Sequence, residues 1–129
     1  MNKLILSLLF TVSLFGAELH WIHDYDKGLA LAKKEHKDVY LMIGADACRF
    51  CKQFKETTLK DQNVINALNA AFVTIYLSRD RHFIPDKFER YGAPRHYFLD
   101  AKGEINDEEA GIIATERFLS LIKEVEFFK

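Results

Sequence analysis

Two kinds of apolar patterning alternate along this chain: short, nearly unbroken runs, and stretches in which apolar residues return every three or four positions. The runs at 39–43 (Val-Tyr-Leu-Met-Ile) and 72–77 (Phe-Val-Thr-Ile-Tyr-Leu) predict strands buried on both faces. Residues 21–36 read as an amphipathic helix after a short lead-in, with Tyr25, Leu29 and Ala32 on one stripe and Asp24 or Asp26 as N-cap. Residues 44–47 break the first run, and a helix is expected from about 48 to 58. Asp61 is suited to cap the next helix, with Val64, Ile65 and Leu68 facing inward. A short helix is expected at 86–91, closed by Gly92-Ala93-Pro94, then a strand at 96–99. Residues 100–103 form a hairpin turn with glycine late in the loop, and 104–110 pair back antiparallel. Thr115 is expected to cap a last helix with Phe118, Leu121, Ile122, Val125 and Phe128 as its apolar stripe.

The early strand–helix–strand crossover calls for a parallel pair, and the late hairpin adds an antiparallel edge. The fold class is therefore α/β, a mixed central sheet flanked by helices. At 129 residues the chain is one domain, and its 49% hydrophobic composition can bury a core without a disulfide framework. The N-terminus departs from this pattern. Met1-Asn2-Lys3 followed by an apolar run to Phe15, then Gly16-Ala17, predicts a signal peptide at 1–17 and a domain at 18–129. The run is too short for a comfortable membrane span. A net charge of −1 argues against nucleic acid or an anionic membrane surface as partner.

The candidate chemistry lies in the only two cysteines, Cys48 and Cys51, at the junction between the first buried strand and a helix. Three residues apart on a helix, both sulfurs share one face. A first cysteine at the helix N-terminus has its thiolate stabilised by free backbone N–H groups and the helix dipole, which is what thiol–disulfide exchange needs. A disulfide enclosing two residues restrains little of the unfolded chain, so a purely structural staple is disfavoured. Arg49 and Lys52 add positive charge that lowers the Cys48 pKa, and Phe50 supplies an apolar contact surface for partners. Metal binding is the competing reading. A zinc site wants about four ligands, and His82 and His96 are the residues that would complete a two-cysteine, two-histidine set, whereas copper(I) accepts two thiolates alone. The spacing of His20 and His23 invites a metal site, and a new terminus at Glu18-Leu19-His20 would offer a square-planar nitrogen site for copper(II).

With Cys48-Arg49-Phe50-Cys51 after the first core strand, Gly92-Ala93-Pro94 before the third and Asp100-Ala101-Lys102-Gly103 between the last two, residues 21–128 resemble the thioredoxin superfamily. The segment from Cys51 through Val64 is similar to exported members, such as the C-terminal periplasmic domain of the transmembrane thiol–disulfide interchange reductase and thioredoxins of sulfur-oxidation systems. The resemblance implies that Cys48 is the nucleophile, Cys51 the resolving cysteine, and Pro94 a cis-proline that lets the Ala93 backbone pair with substrate. It implies no cofactor beyond the redox-active Cys48–Cys51 disulfide. It further implies a monomeric periplasmic disulfide reductase acting on exported client proteins, with an inner-membrane thiol–disulfide reductase as electron donor. A metal-binding chaperone, or an oxidase or isomerase, is the alternative on the same fold. The chain also departs from the family pattern. Met42 stands where a buried carboxylate is usual, Ala47 where Trp is usual, Lys55 where the transmembrane reductase's domain has an acid, and Arg95 where Thr is common. Asp46 and Glu56 are then the candidates to deprotonate Cys51.

Overall fold

The computed structural model describes residues 16–128, so the predicted signal peptide lies almost wholly outside the described residues. The elements are α1 (Tyr25–Glu35), β1 (Asp38–Gly44), α2 (Arg49–Glu56), a 3₁₀ turn (Thr58–Lys60), α3 (Gln62–Ala71), β2 (Phe72–Ser78), β3 (Arg95–Leu99), β4 (Ile105–Ala110) and α4 (Thr115–Phe127). The sheet runs β2-β1-β3-β4, with β1 parallel to β2 and antiparallel to β3, and β3 antiparallel to β4. This is the mixed α/β sheet that the apolar runs and the hairpin predict, and it has the thioredoxin-like arrangement.

Alternation along β1 divides the core into two layers. Tyr40 and Met42 face a cluster with Cys51 and Phe54 of α2, Leu68 of α3 and Phe118 of α4. Val39, Leu41 and Ile43 face the opposite cluster, with Ala32 of α1, Ile75 of β2 and Tyr97 of β3. Asp61 caps α3 through its carboxylate, which accepts from the Asn63 and Val64 N–H groups at 2.9 and 3.1 Å.

Four local expectations are corrected. α1 begins at Tyr25 rather than near Trp21, because Ile22 is drawn onto the edge of β2; of the two expected caps, Asp24 is the one the helix uses. The Ile22 N–H donates to Thr74 O and its carbonyl accepts from Tyr76 N–H, at 3.0 and 2.9 Å, which covers part of an open edge. Residues 86–91 form turns, not a helix. The Tyr97 hydroxyl accepts from the Glu89 N–H at 2.9 Å and donates to its carbonyl, and the Glu89 carboxylate accepts from the Arg90 and Tyr91 N–H groups, so the amides a helix would need are engaged. Thr115 is the first helical residue of α4, behind an Ala114 cap that makes no side-chain bond. Finally, Phe128 ends α4 and lies exposed against Phe127, so the buried stripe stops at Val125.

One polar group crosses the α2/α4 side of the core. His96 is fully buried; its Nε2–H donates to the Gly111 carbonyl and its Nδ1 accepts from the Tyr40 hydroxyl, both at 2.7 Å. A carbonyl can only accept, so these two bonds select one neutral tautomer. Gly111, at φ +90°, a backbone conformation that favours glycine, also donates its N–H to the Pro94 carbonyl at 2.8 Å. The β4–α4 connection is thereby tied to both β3 and the proline segment. Burial holds His96 down to about 4, partly offset by the bond to Gly111.

Because this folded pKa lies below the unfolded value of about 6.5, the unfolded chain takes up a proton first. Stability is complete above pH 6.5, falls as pH drops toward about 4 and levels off below, a loss of about 3 kcal/mol from this one group. Urea unfolding at pH 7 and pH 4.5 is expected to show this loss in the parent. In His96→Gln, which has nothing to protonate, the loss across the same interval should be clearly smaller; an identical fall in both proteins would contradict the assignment.

Candidate active site

β1 ends at Gly44, a four-residue connection follows, and α2 starts at Arg49 with Cys48 as its N-cap. Cys48 has extended backbone angles (φ −130°, ψ 101°), and its sulfur accepts from the Cys51 N–H at 3.1 Å. The two cysteines form a disulfide, with 5.2 Å between their Cα atoms. Their environments differ. Cys51 is 2% exposed within the α2-side core cluster, whereas Cys48 is only partly buried and packs on the rim of that cluster. An attacking thiolate can reach Cys48 far more easily than Cys51, and an N-terminal helix position favours the sulfur that carries negative charge.

Register brings the proline segment to the same end of the sheet. Ile43 pairs with Arg95, so Pro94 enters β3 level with the end of β1. The Ala93–Pro94 bond is cis, Pro94 is buried, and Ala93 packs against the cluster that holds both cysteines. No described residue hydrogen-bonds the Ala93 backbone N–H or carbonyl. Arg95 turns away, its Nε donating to the Tyr91 carbonyl at 2.7 Å. The remaining residues around the motif are exposed. Phe50 is 48% exposed with the Arg49 guanidinium 5.0 Å from its ring centroid, and Lys52 lies 3.9 Å from Glu56 one turn along.

A cavity of about 540 Å³ opens beside the disulfide. Cys48 and Cys51 line it, together with Asp46, Lys52, Lys55, Glu56, Tyr76 and Arg81. Ala93 and Pro94 do not line it. Both carboxylates suggested as proton acceptors are therefore in the cavity, and both are already engaged. Asp46 accepts from the Ser78 hydroxyl and from Arg81 Nε, each at 2.8 Å; the Ser78 bond first, and Arg81 after it, hold its carboxyl below the usual range and make it a weaker base. Glu56 is exposed and paired with Lys52. Met42 is fully buried in the cluster around Cys51, so the strand position usual for a carboxylate carries a thioether.

The histidines do not assemble a metal site with the cysteines. Both ring nitrogens of His96 are occupied within the core. His82 Nδ1 accepts from the Ser78 N–H at 2.8 Å, and its ring stacks on His23, whose Nδ1–H donates to the Tyr76 carbonyl at 2.9 Å. Among the described residues no group of three or more His, Cys, Asp or Glu side chains is placed to hold a metal ion. The two-cysteine, two-histidine set is thus corrected: neither histidine lines the cavity.

Position in the chain does not mark Tyr76, Ser78 or Arg81 as neighbours of the cysteines, whereas Lys55 stands where the transmembrane reductase's domain has an acid. The spacing of Cys51 and Lys55, four apart on one helix, carried a legible signal. Nothing local marks Ser78 or Arg81, which reach the site only through the end of β2.

A family model described as a thioredoxin-like domain matches residues 25–126. The chain is similar to anterior gradient protein 3 of Xenopus tropicalis, at 22% identity over 107 residues that cover 81% of this chain and 63% of that protein. It spans less than two thirds of the length of the curated relatives it matches. Among solved structures, a thioredoxin from Thermus thermophilus superposes with a TM-score of 0.70 at 25% identity, covering 84% of this chain and 88% of that one. The C-terminal domain of Neisseria meningitidis DsbD in its reduced form has the same fold, with a TM-score of 0.65 at 20% identity over 77% of this chain and 91% of that one. With its sheet order, its Cys48–Cys51 disulfide at the start of α2 and this match over residues 25–126, the chain belongs to the thioredoxin-like domain family.

Proposed function

We propose that this protein is an exported thiol–disulfide oxidoreductase that reduces disulfides of exported client proteins in the periplasm. The carrying observation is the asymmetric disulfide: an accessible Cys48 at a helix N-cap, bonded to a buried Cys51. In the reductive direction the Cys48 thiolate attacks a client disulfide and forms a mixed disulfide, releasing one client sulfur. Cys51 then attacks Cys48, the client's second sulfur leaves, and two electrons have passed to the client. The unpaired Ala93 backbone beside Pro94 offers an extended client segment main-chain bonds that demand no particular sequence. Phe50 adds an exposed apolar contact on the motif itself.

The basic, then apolar, N-terminal pattern supports export. An exported reductase needs electrons delivered from the membrane, since the periplasm is kept oxidising and holds no reducing buffer. An inner-membrane thiol–disulfide reductase is the donor of that chemistry. The reductive direction is supported by the absence of a histidine between the cysteines, where only Arg49 and Phe50 stand.

Two measurements test this reading. In a coupled assay with a disulfide-bonded protein substrate, Cys48→Ser should lower turnover by at least ~100-fold, as expected for loss of a nucleophile, whereas Cys51→Ser should accumulate mixed disulfides with clients, visible by mass spectrometry. Full turnover in Cys48→Ser would remove the nucleophile assignment. The reduction potential measured against a glutathione buffer is expected between about −270 and −200 mV; a value near about −120 mV, that of a strong oxidant, would exclude the reductive direction.

A further inference from the structure

Cys51 and Lys55 stand one turn apart on α2, so their side chains leave the same face of the helix, and both line the cavity beside the disulfide. Lys55 is partly buried, with Nζ 3.6 Å from the centroid of the Tyr76 ring. Gly44 leaves room for that ring: a Cβ there would come within 2.5 Å of the Tyr76 hydroxyl oxygen. Tyr76 pairs in register with Met42, and both belong to the cluster that buries Cys51. The ammonium is thus held over a ring of the cluster into which Cys51 is packed.

In the disulfide state this cation has no counter-charge among the described residues. Asp46 is engaged by Arg81 and Glu56 by Lys52, and among the described residues no carboxylate lies within ion-pairing distance of Lys55. Lys60, the other cation of the cavity, is exposed. Burial, and after it the Arg81 guanidinium, push the Lys55 ammonium below the usual lysine range. Reduction changes that balance, because it places thiol sulfurs that can ionise where the oxidised protein has a neutral disulfide.

We propose that the Lys55 ammonium is the partner of the Cys51 thiolate, taking the place of a carboxylate that would accept the thiol's proton. The cation lowers the cost of ionising a buried sulfur, and the Cys51 proton passes to water in the open cavity. The thiolate then attacks Cys48 Sγ in a mixed disulfide. The Cys48–Cys51 bond forms, the Cys48–client bond breaks, and the client sulfur leaves with the electron pair. In the reverse step a donor thiolate attacks Cys48, and Cys51 departs as a thiolate next to Lys55. The inference rests on exchange chemistry at this pair and is independent of its physiological direction.

Ionisation of Cys51 is read from thiolate absorbance in a Cys48→Ser chain, where it is the only thiol. Replacing Lys55 by Gln should lower its acid dissociation constant about tenfold, while Lys55→Arg should stay close to the parent. In the full dithiol protein, measured at a pH above the Cys51 pKa of both chains, Lys55→Gln should shift the equilibrium with glutathione about tenfold toward the disulfide, equivalent to about 30 mV. A folded Lys55→Gln chain with unchanged ionisation and equilibrium would overturn the proposal. So would an Arg variant that behaves like Gln, because a guanidinium keeps the positive charge on which the proposal rests. Both readouts are equilibrium quantities, so they decide the role of Lys55 even in a chain that reduces no client.

Discussion

The backbone of β1 is hydrogen-bonded along both edges, parallel to β2 and antiparallel to β3, while side chains cover both of its faces. A strand held on four sides has no freedom to slip, since a shift of one residue would move Tyr40 and Met42 out of one core layer and into the other. The position of the disulfide follows from this. The end of β1 fixes where α2 starts, and the register with β3 fixes where Pro94 enters the sheet. Residues almost fifty positions apart in the chain therefore meet at one end of the sheet.

A second tie secures that end. The Gly111 N–H reaches the Pro94 carbonyl, and the Gly111 carbonyl accepts from His96, which in turn accepts from Tyr40 of β1. Every polar atom on this path has a partner, which is the condition under which a polar network in a core stabilises rather than costs. Thr58 makes a parallel link, its hydroxyl donating to the Ile113 carbonyl at 2.6 Å. The loops on either side of the disulfide are thus anchored by side chains buried in the body of the protein.

The charges of the site follow a different rule from those of the frame. Asp46, Ser78 and Arg81 satisfy one another at the mouth of the cavity, and Lys52 with Glu56 does so on the outer face of α2. Exposed pairs of this kind contribute little to stability. Their effect is to leave Lys55 as the partly buried charge nearest in sequence to the buried cysteine, on an aromatic face. Ion pairs among the residues that line the cavity thereby shape the field within it.

What the chain by itself determined is what local patterns encode. Two apolar runs specified the central strands, Asp61 the start of α3, the Asp100–Gly103 turn the hairpin, and the three-residue spacing of Cys48 and Cys51 that their sulfurs can reach each other. Local patterns misled where a distant group claimed the backbone: Tyr97 removed the helix expected at 86–91, and β2 drew Ile22 out of α1. His96 belongs to the same class, because burial and two distant partners, Tyr40 and Gly111, turn a candidate ligand into a neutral core residue. The fate of the proton acceptors was likewise decided in three dimensions. Asp46 and Glu56 stand in the cavity but are spent on Arg81 and Lys52, and Lys55 is set above Tyr76 by a strand that follows twenty residues later. Covalent spacing fixes which groups share a helix face; which of them keeps an unanswered charge depends on partners that only the packed sheet brings within reach.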